Sequence, residues 1–168
     1  MIHVVLYQPQ IPQNAGNIIR TCIGFNAILH MIKPYGFILS NSKFKRSALD
    51  YFKKIKLIEH IDYDDFICSI RKKSLLYYIT RYGKSLPTKI KKPFDKQDIY
   101  LIFGCETKGL PKKILQDNIN RTIRIPISKN IRCLNLSNCV AILLYQIVTK
   151  IGYKNLAIFE PHNVKYLK

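Results

Sequence analysis

The apolar residues of this 168-residue chain gather in short continuous runs. Five of them have the length and the β-branched or aromatic content of strands: IHVVLY (2 to 7), LHMIK (29 to 33), LLYYIT (75 to 80), IYLIFG (99 to 104) and TIRIPI (122 to 127). Several are apolar throughout instead of alternating, as expected of parallel strands covered on both faces. Between them, residues 14 to 25, 62 to 73, 111 to 117 and 137 to 150 read as helices. Strands alternating with helices predict an α/β fold, a parallel sheet flanked by helices, whose ligands sit beyond the carboxyl ends of the strands.

That rule directs attention to three polar junctions: QPQIPQNAGN after the first run, CETKGLP after the fourth and SKNIRCLNLSN after the fifth. In the first, Asn14 is placed to cap a helix, with Asn17 and Arg20 following at three-residue steps on neighbouring turns. A helix start of this kind favours anions, and phosphate binding competes here with simple capping of a surface helix. In the second, Gly104 and Gly109 bracket Glu106 in a tight loop that suits a ligand lying against backbone. The spacings of dinucleotide and nucleoside-triphosphate loops are absent from it. In the third, Asn135 or Ser137 can accept from the free amides of the last helix. Asn135-Leu136-Ser137 also has the form of a glycosylation sequon, which needs a secreted chain.

Composition narrows these choices. With 48% hydrophobic residues, positions 1 to 168 can fill one core, and we expect a single domain. The first residues read as a strand and not a signal peptide, no run is long enough to span a membrane, and five scattered cysteines offer neither a disulfide framework nor a zinc site. A cytoplasmic setting without metal follows, and the sequon loses its force. His3 and His30, inside strands, read as core or partner-bonded histidines.

The formal charge of +18 attracts phosphate polyanions or an anionic membrane surface. Lysine (21) outnumbers arginine (7), so much of the charge is a solvated surface, and the arginine fork is the better guide to specific phosphate contacts. Arg20, Arg46, Arg81, Arg124 and Arg132 are therefore the informative cations. The segment 40 to 58 mixes Lys45, Arg46 and other cations with Phe44, Tyr51 and Phe52, which suits a nucleic-acid contact; an amphipathic surface helix with its aromatics in the core is the competing reading.

Taken in order, PQNAGNIIR, IFGCETKGLP and IRIPISKNIRCLNLSN before an apolar helix resemble the three signature motifs of the SPOUT class of RNA methyltransferases. The short chain, LYQPQIPQNAGNIIR and KRSALDY resemble most closely the TrmL-type tRNA 2'-O-methyltransferases, which act on the wobble nucleotide, C34 or U34, in the anticodon stem-loop. The resemblance implies a C-terminal trefoil knot, a homodimer, no membrane partner, and S-adenosylmethionine as cofactor. It assigns cofactor contacts to Ile79, Thr80, Gly104, Glu106, Gly109, Ile125, Ile127, Cys133 and Leu134, and a catalytic role to Arg20, Asn135 and Ser137. RNA contacts fall to Asn14, Asn17, Lys45, Arg46 and Arg132, and leucine tRNAs are the expected substrates. Cys105, Lys108 and Cys133 depart from the usual proline, arginine and serine. Another RNA position, or a non-catalytic RNA-binding protein on the same scaffold, are the alternatives. A guanidinium keeps its protons, so Arg20 suits phosphate binding and alkoxide stabilisation better than proton removal.

Overall fold

The computed structural model describes residues 1–39, 46, 51–52, 54–93 and 97–161. Its centre is a parallel sheet of β1 (Ile2–Tyr7), β2 (Ile28–Ile32), β3 (Leu57–His60), β4 (Leu75–Ile79), β5 (Ile99–Phe103) and β6 (Thr122–Ile123). The strand order is β3-β2-β1-β5-β4-β6. The chain steps outward from β1 to β3 and then resumes on the other side of β1, which makes the β1–β5 junction the switch point where such sheets hold ligands.

Helices α1 (Pro12–Gly24), α2 (Tyr63–Ser69), α3 (Lys112–Asp117) and α4 (Leu136–Lys150) cover both faces. Successive strand residues point to opposite sides. Val4, Leu6, Leu101 and Phe103 belong to a core with Ile18 and Ile19 of α1 and Leu143, Leu144 and Ile147 of α4. Val5, Tyr100 and Ile102 pack on the other side with Phe66 of α2, with Ile114 and Leu115 of α3 against them. Burial on both faces is why the central strands are unbroken apolar runs. Each fully buried leucine or isoleucine stabilises the fold by about 1.5–3 kcal/mol relative to exposure.

One polar row crosses the second core. His3 Nδ1 lies 2.8 Å from His30 Nε2, and His30 Nδ1 lies 2.9 Å from His60 Nε2, so three adjacent strands are tied by imidazoles as well as by backbone. His60 Nδ1 stands 3.4 Å from Asp65, and His3 Nε2, which has no hydrogen-bond partner among the described residues, stands 3.7 Å from Asp98. All three rings are buried. Burial above all, with neighbouring cationic groups, lowers His3 to about 4 and His30 to about 3. His3 and His30 are therefore neutral at physiological pH. Burial opposes ionisation of Asp98, but the N-terminal ammonium 2.6 Å away and nearby Arg71 hold its carboxyl below the usual range.

Several elements differ from the sequence reading. The last strand pairs only over Thr122–Ile123, not 122 to 127, because the chain leaves the sheet edge and Pro126 lacks an amide to continue a ladder. Strand β3 went unread: an edge strand carrying Leu57, Ile58, Glu59 and His60 lacks the alternation of a half-buried strand and adjoins a lysine-rich stretch. Asn14 does not cap α1. The helix begins two residues earlier, at Pro12, whose ring suits a first helical position, and the cap position is Ile11. Helix α2 stops at Ser69 because Ile70 is extended, while Asp62 accepts from the Asp65 amide at its start.

Candidate active site

The carboxyl ends of β1, β4, β5 and β6 open onto a cavity of about 720 Å³, within the range of small-molecule and cofactor sites. Three loops wall it. At the end of β4 stand Ile79 and Thr80; after β5 come Gly104, Glu106 and Gly109; the segment between β6 and α4 adds Ile125, Ile127, Cys133 and Leu134. These nine positions are far apart in sequence and share one wall-lined space. The third wall is irregular, and the amides of Ile125, Ile127, Cys133 and Leu134 serve neither ladder nor helix. Free amides beside apolar side chains suit a heteroaromatic ligand, whose faces want aliphatic contact and whose edge atoms want donors.

The second loop is folded tightly on itself. A Cβ on Gly104 would lie 2.1 Å from the carbonyl carbon of Gly109, so only glycine permits this closure. Cys105 sits in the same turn, its thiol 3.6 Å from the Gly109 carbonyl oxygen. Burial pushes the Cys139 thiol, also in the cavity wall, up to about 11, so it stays protonated and is a packing group.

Glu106 is a pin between loops. Its Oε2 accepts from the Gln10 amide at 2.9 Å, and its Oε1 accepts from the Ile11 amide at 3.1 Å and from Asn14 Nδ2 at 3.0 Å. A carboxylate from elsewhere in the chain thereby satisfies donors at the start of α1, where a negative charge also meets the positive end of the helix dipole. The network continues: Asn14 Oδ1 accepts from Asn135 Nδ2 at 2.9 Å, and Asn135 Oδ1 accepts from the Ser137 amide and hydroxyl at 2.8 and 2.7 Å. Asn135 thus caps α4 and is oriented by both neighbours. Glu106, Asn14, Asn135 and Ser137 form one relay across the β1, β5 and α4 loops.

The remaining candidates are less gathered. Arg132 and Asn14 line the cavity. Arg20 and Asn17 are exposed on α1 and do not line it; the Arg20 guanidinium lies over the Tyr51 ring, 5.6 Å from its centre. Arg46 is exposed, and Lys45 lies outside the described residues.

The chain matches the SpoU rRNA Methylase family over residues 1–145. It belongs to that family. A Bacillus subtilis (strain 168) methylase with the provisional name tRNA (cytidine(34)-2'-O)-methyltransferase is 39% identical over 92% of this chain and 96% of its own. A structure solved to explain the 2-OH methylation of C/U34 on tRNA is 34% identical and superposes with a TM-score of 0.84 over 92% of this chain and 98% of that one. An AdoMet-bound rRNA methyltransferase from Sinorhizobium meliloti shares the fold, with a TM-score of 0.79 at 21% identity over 89% of this chain and 56% of that one.

Sequence reasoning singled out Arg81 and Arg124 as cations for phosphate but did not place them in this methylase's cavity, which they line together with Lys108. Tyr82 and Ile11, which it missed, line the cavity too. For Tyr82 the signal was available, since RYG directly follows the β4 run and so stands at a strand's carboxyl end. Gln10 and Ile11 offered no signal for their bonds to Glu106, because those bonds use backbone amides.

Proposed function

We propose that this chain transfers the methyl group of S-adenosylmethionine to the ribose 2'-oxygen of the wobble nucleotide, C34 or U34, of leucine tRNAs. The observation that carries the reading is the cavity at the switch point, walled by the loop after β4 and by the two motif-bearing loops after β5 and before α4, in a chain 39% identical over nearly its full length to a relative named for that reaction. The cofactor fits what the chain offers: aliphatic Ile79, Ile125, Ile127 and Leu134, unspent amides on the third wall, and the close-packed Gly104–Gly109 turn. Bound there, S-adenosylmethionine supplies an electrophilic methyl on a sulfonium. Ile79, Thr80, Gly104, Gly109, Ile125, Ile127, Cys133 and Leu134 enclose it.

The chain's own work is orientation and charge. Glu106 has both oxygens committed to three N–H donors, so it serves as the pin of the cavity wall and not as the base. Asn135 presents a fixed amide at the α4 entrance, where the acceptor ribose is held, and the buried Ser137, which does not line the cavity, acts through it by donating its hydroxyl and amide to Asn135 Oδ1. Arg20 binds the adjacent phosphate and stabilises charge developing on the 2'-oxygen.

Because Arg20 stands outside its own chain's cavity, this role is best served in a homodimer in which α1 of one protomer completes its partner's site. Support comes from the exposed aromatics beside α1 and α4: Tyr145 and Tyr153 are exposed, with Phe25 packed against Tyr145. We also read the C-terminal segment as threaded into a trefoil knot. What supports this is the stitching of the 80–85 loop onto the departing chain, by Thr80 N to Ile123 O at 3.0 Å and Arg124 N to Ser85 O at 2.8 Å.

Mapping 2'-O-methylation in tRNA from cells with and without the gene tests the assignment. Loss confined to position 34 of leucine tRNAs is expected; an unchanged position 34 with loss elsewhere overturns it.

A further inference from the structure

The face of the cavity formed by the loop after β4 has a composition that a methyl donor does not explain. Arg81, Tyr82, Arg124 and Arg132 line it together with Lys108, and Glu106, the single acid among the lining residues, is committed to donors at the start of α1. Tyr82 is 62% exposed. The guanidinium of Arg81 lies over its ring, 4.7 Å from the centre, and donates to its hydroxyl, while Arg124 Nη1 donates to the Arg81 carbonyl oxygen.

This arrangement is rigid. Thr80 N donates to Ile123 O at 3.0 Å, Gly83 N to Thr80 O at 3.1 Å, and Ser85 N to Thr122 O at 3.2 Å. Tyr82 N donates to Thr80 Oγ1 at 3.3 Å and Lys84 N to Thr122 Oγ1 at 3.1 Å. The loop is so close to the β6 edge that a Cβ on Gly83 would fall 2.3 Å from the carbonyl carbon of Ile123. An exposed aromatic ring on a flexible loop loses much of its binding energy to ordering; here the ordering is done in advance.

We propose that Tyr82, backed by Arg81, is a stacking platform for an unpaired base of the RNA substrate, with Arg124 and Arg132 holding the phosphates beside it. This rests on the RNA 2'-O-methyltransferase reading and adds to it the residues that seat the substrate. Two arguments favour an RNA base over the adenine of the cofactor. S-adenosylmethionine has no phosphate, so clustered arginines have no anionic partner on it beyond one carboxylate, whereas a phosphodiester chain supplies an anion at every nucleotide. A ring this exposed lies at the mouth of the cavity, where a base entering from solvent meets it, while cofactors are enclosed deeper. A π-face accepts any base, so the platform positions the loop without choosing its sequence.

The test uses the full chain, as wild type, Tyr82→Phe, Tyr82→Ala and Arg81→Gln. Each is titrated with an anticodon stem-loop RNA, and with a hairpin of unrelated loop sequence, carrying 2-aminopurine at one loop position at a time. Cofactor affinity by calorimetry and kcat and KM for methyl transfer are measured in parallel. For Tyr82→Ala we expect the RNA Kd and KM to rise about 5- to 150-fold, the worth of one base–aromatic stack. Fluorescence quenching at the stacked position should vanish, with kcat and cofactor Kd within about twofold of wild type, the range left by a contact made equally in ground and transition states. Tyr82→Phe should keep both quench and affinity; Arg81→Gln should weaken binding and lower its salt dependence. Wild-type quenching retained in Tyr82→Ala, or no quenching by wild type with either RNA, overturns the platform. Weakened cofactor binding with unchanged RNA affinity also overturns it and assigns the ring to adenine. Absence of methyl transfer to position 34 by wild type defeats the functional reading alone, since the quenching arm still decides the platform.

Discussion

Removing the carboxylate of Glu106 should loosen the site without touching the core. Glu106→Ala strips three acceptor contacts at once, from the amides of Gln10 and Ile11 and from Asn14 Nδ2. A hydrogen bond to a charged group is worth about 1.5–3 kcal/mol net, but Ile11 is exposed and Gln10 half-buried, so water repairs much of what those amides lose. Asn14 is buried and keeps only its bond to Asn135. A loss of about 2–4 kcal/mol follows, including the charge–dipole contribution at the α1 start. For a chain of this size each kcal/mol moves the melting temperature by about 2–4 °C, so differential scanning fluorimetry should show a drop of roughly 5–15 °C. Glu106→Gln should fall in between, because its amide oxygen can serve Ile11 and Asn14 while its NH₂ group faces the Gln10 amide, donor against donor. Calorimetry should also show weaker S-adenosylmethionine binding in both, since the pinned loop forms one wall of the cavity. A Glu106→Ala protein melting within about 1 °C of wild type, well under one hydrogen bond's worth, with unchanged cofactor affinity, would refute the pin.

Three further outcomes follow from the same structure. Gly104→Ala forces a methyl into the backbone of Gly109 and Leu110, and should abolish cofactor binding while leaving far-ultraviolet circular dichroism near wild type, because the collision lies at a loop. Arg20→Lys should keep cofactor affinity but lose most methyl transfer with a tritiated donor, since the charge survives and the bidentate fork does not; near-normal turnover would remove Arg20 from the reacting centre. Stability should fall as pH drops below about 6.5, the unfolded histidine value, because His3 and His30, lowered to about 4 and about 3, refuse the protons that the unfolded chain accepts. The slope is up to about 1.4 kcal/mol per pH unit for each histidine and fades as the folded values are reached. The groups facing this row are Asp98, the N-terminal ammonium, Lys56, Arg71 and Asp65, and imidazole resonances of His3 and His30 titrating near 6.5 would contradict the assignment.

The fold was legible where burial is complete. The runs behind β1, β2, β4 and β5 were unmistakable because both faces of those strands are covered, and the α4 periodicity was clear because one side packs on the sheet. Edges were not: β3 takes its place by pairing with β2, and β6 ends after Ile123 although the TIRIPI pattern runs on. Ile125 and Ile127 are apolar because they face the cavity, a demand that sequence alone cannot separate from that of a strand. Of the loops that wall the cavity, those after β5 and before α4 were found by the rule of strand carboxyl ends and by motif, and Ile79 and Thr80 after the β4 run by the resemblance alone. What escaped were partnerships across distance: Glu106 with the Gln10 and Ile11 amides, Asn14 with Asn135, and the imidazole row, whose members are 27 and 30 residues apart. The backbone half of such a contact has no residue type to betray it.

The central claim is methyl transfer to the 2'-oxygen at position 34, and a single atom decides it. Purified protein incubated with tritiated S-adenosylmethionine should label a leucine tRNA transcript carrying C34 or U34. It should leave unlabelled the same transcript built with a 2'-deoxy nucleotide at that one position. Equal labelling of both transcripts would place the methyl elsewhere on the RNA and contradict the account.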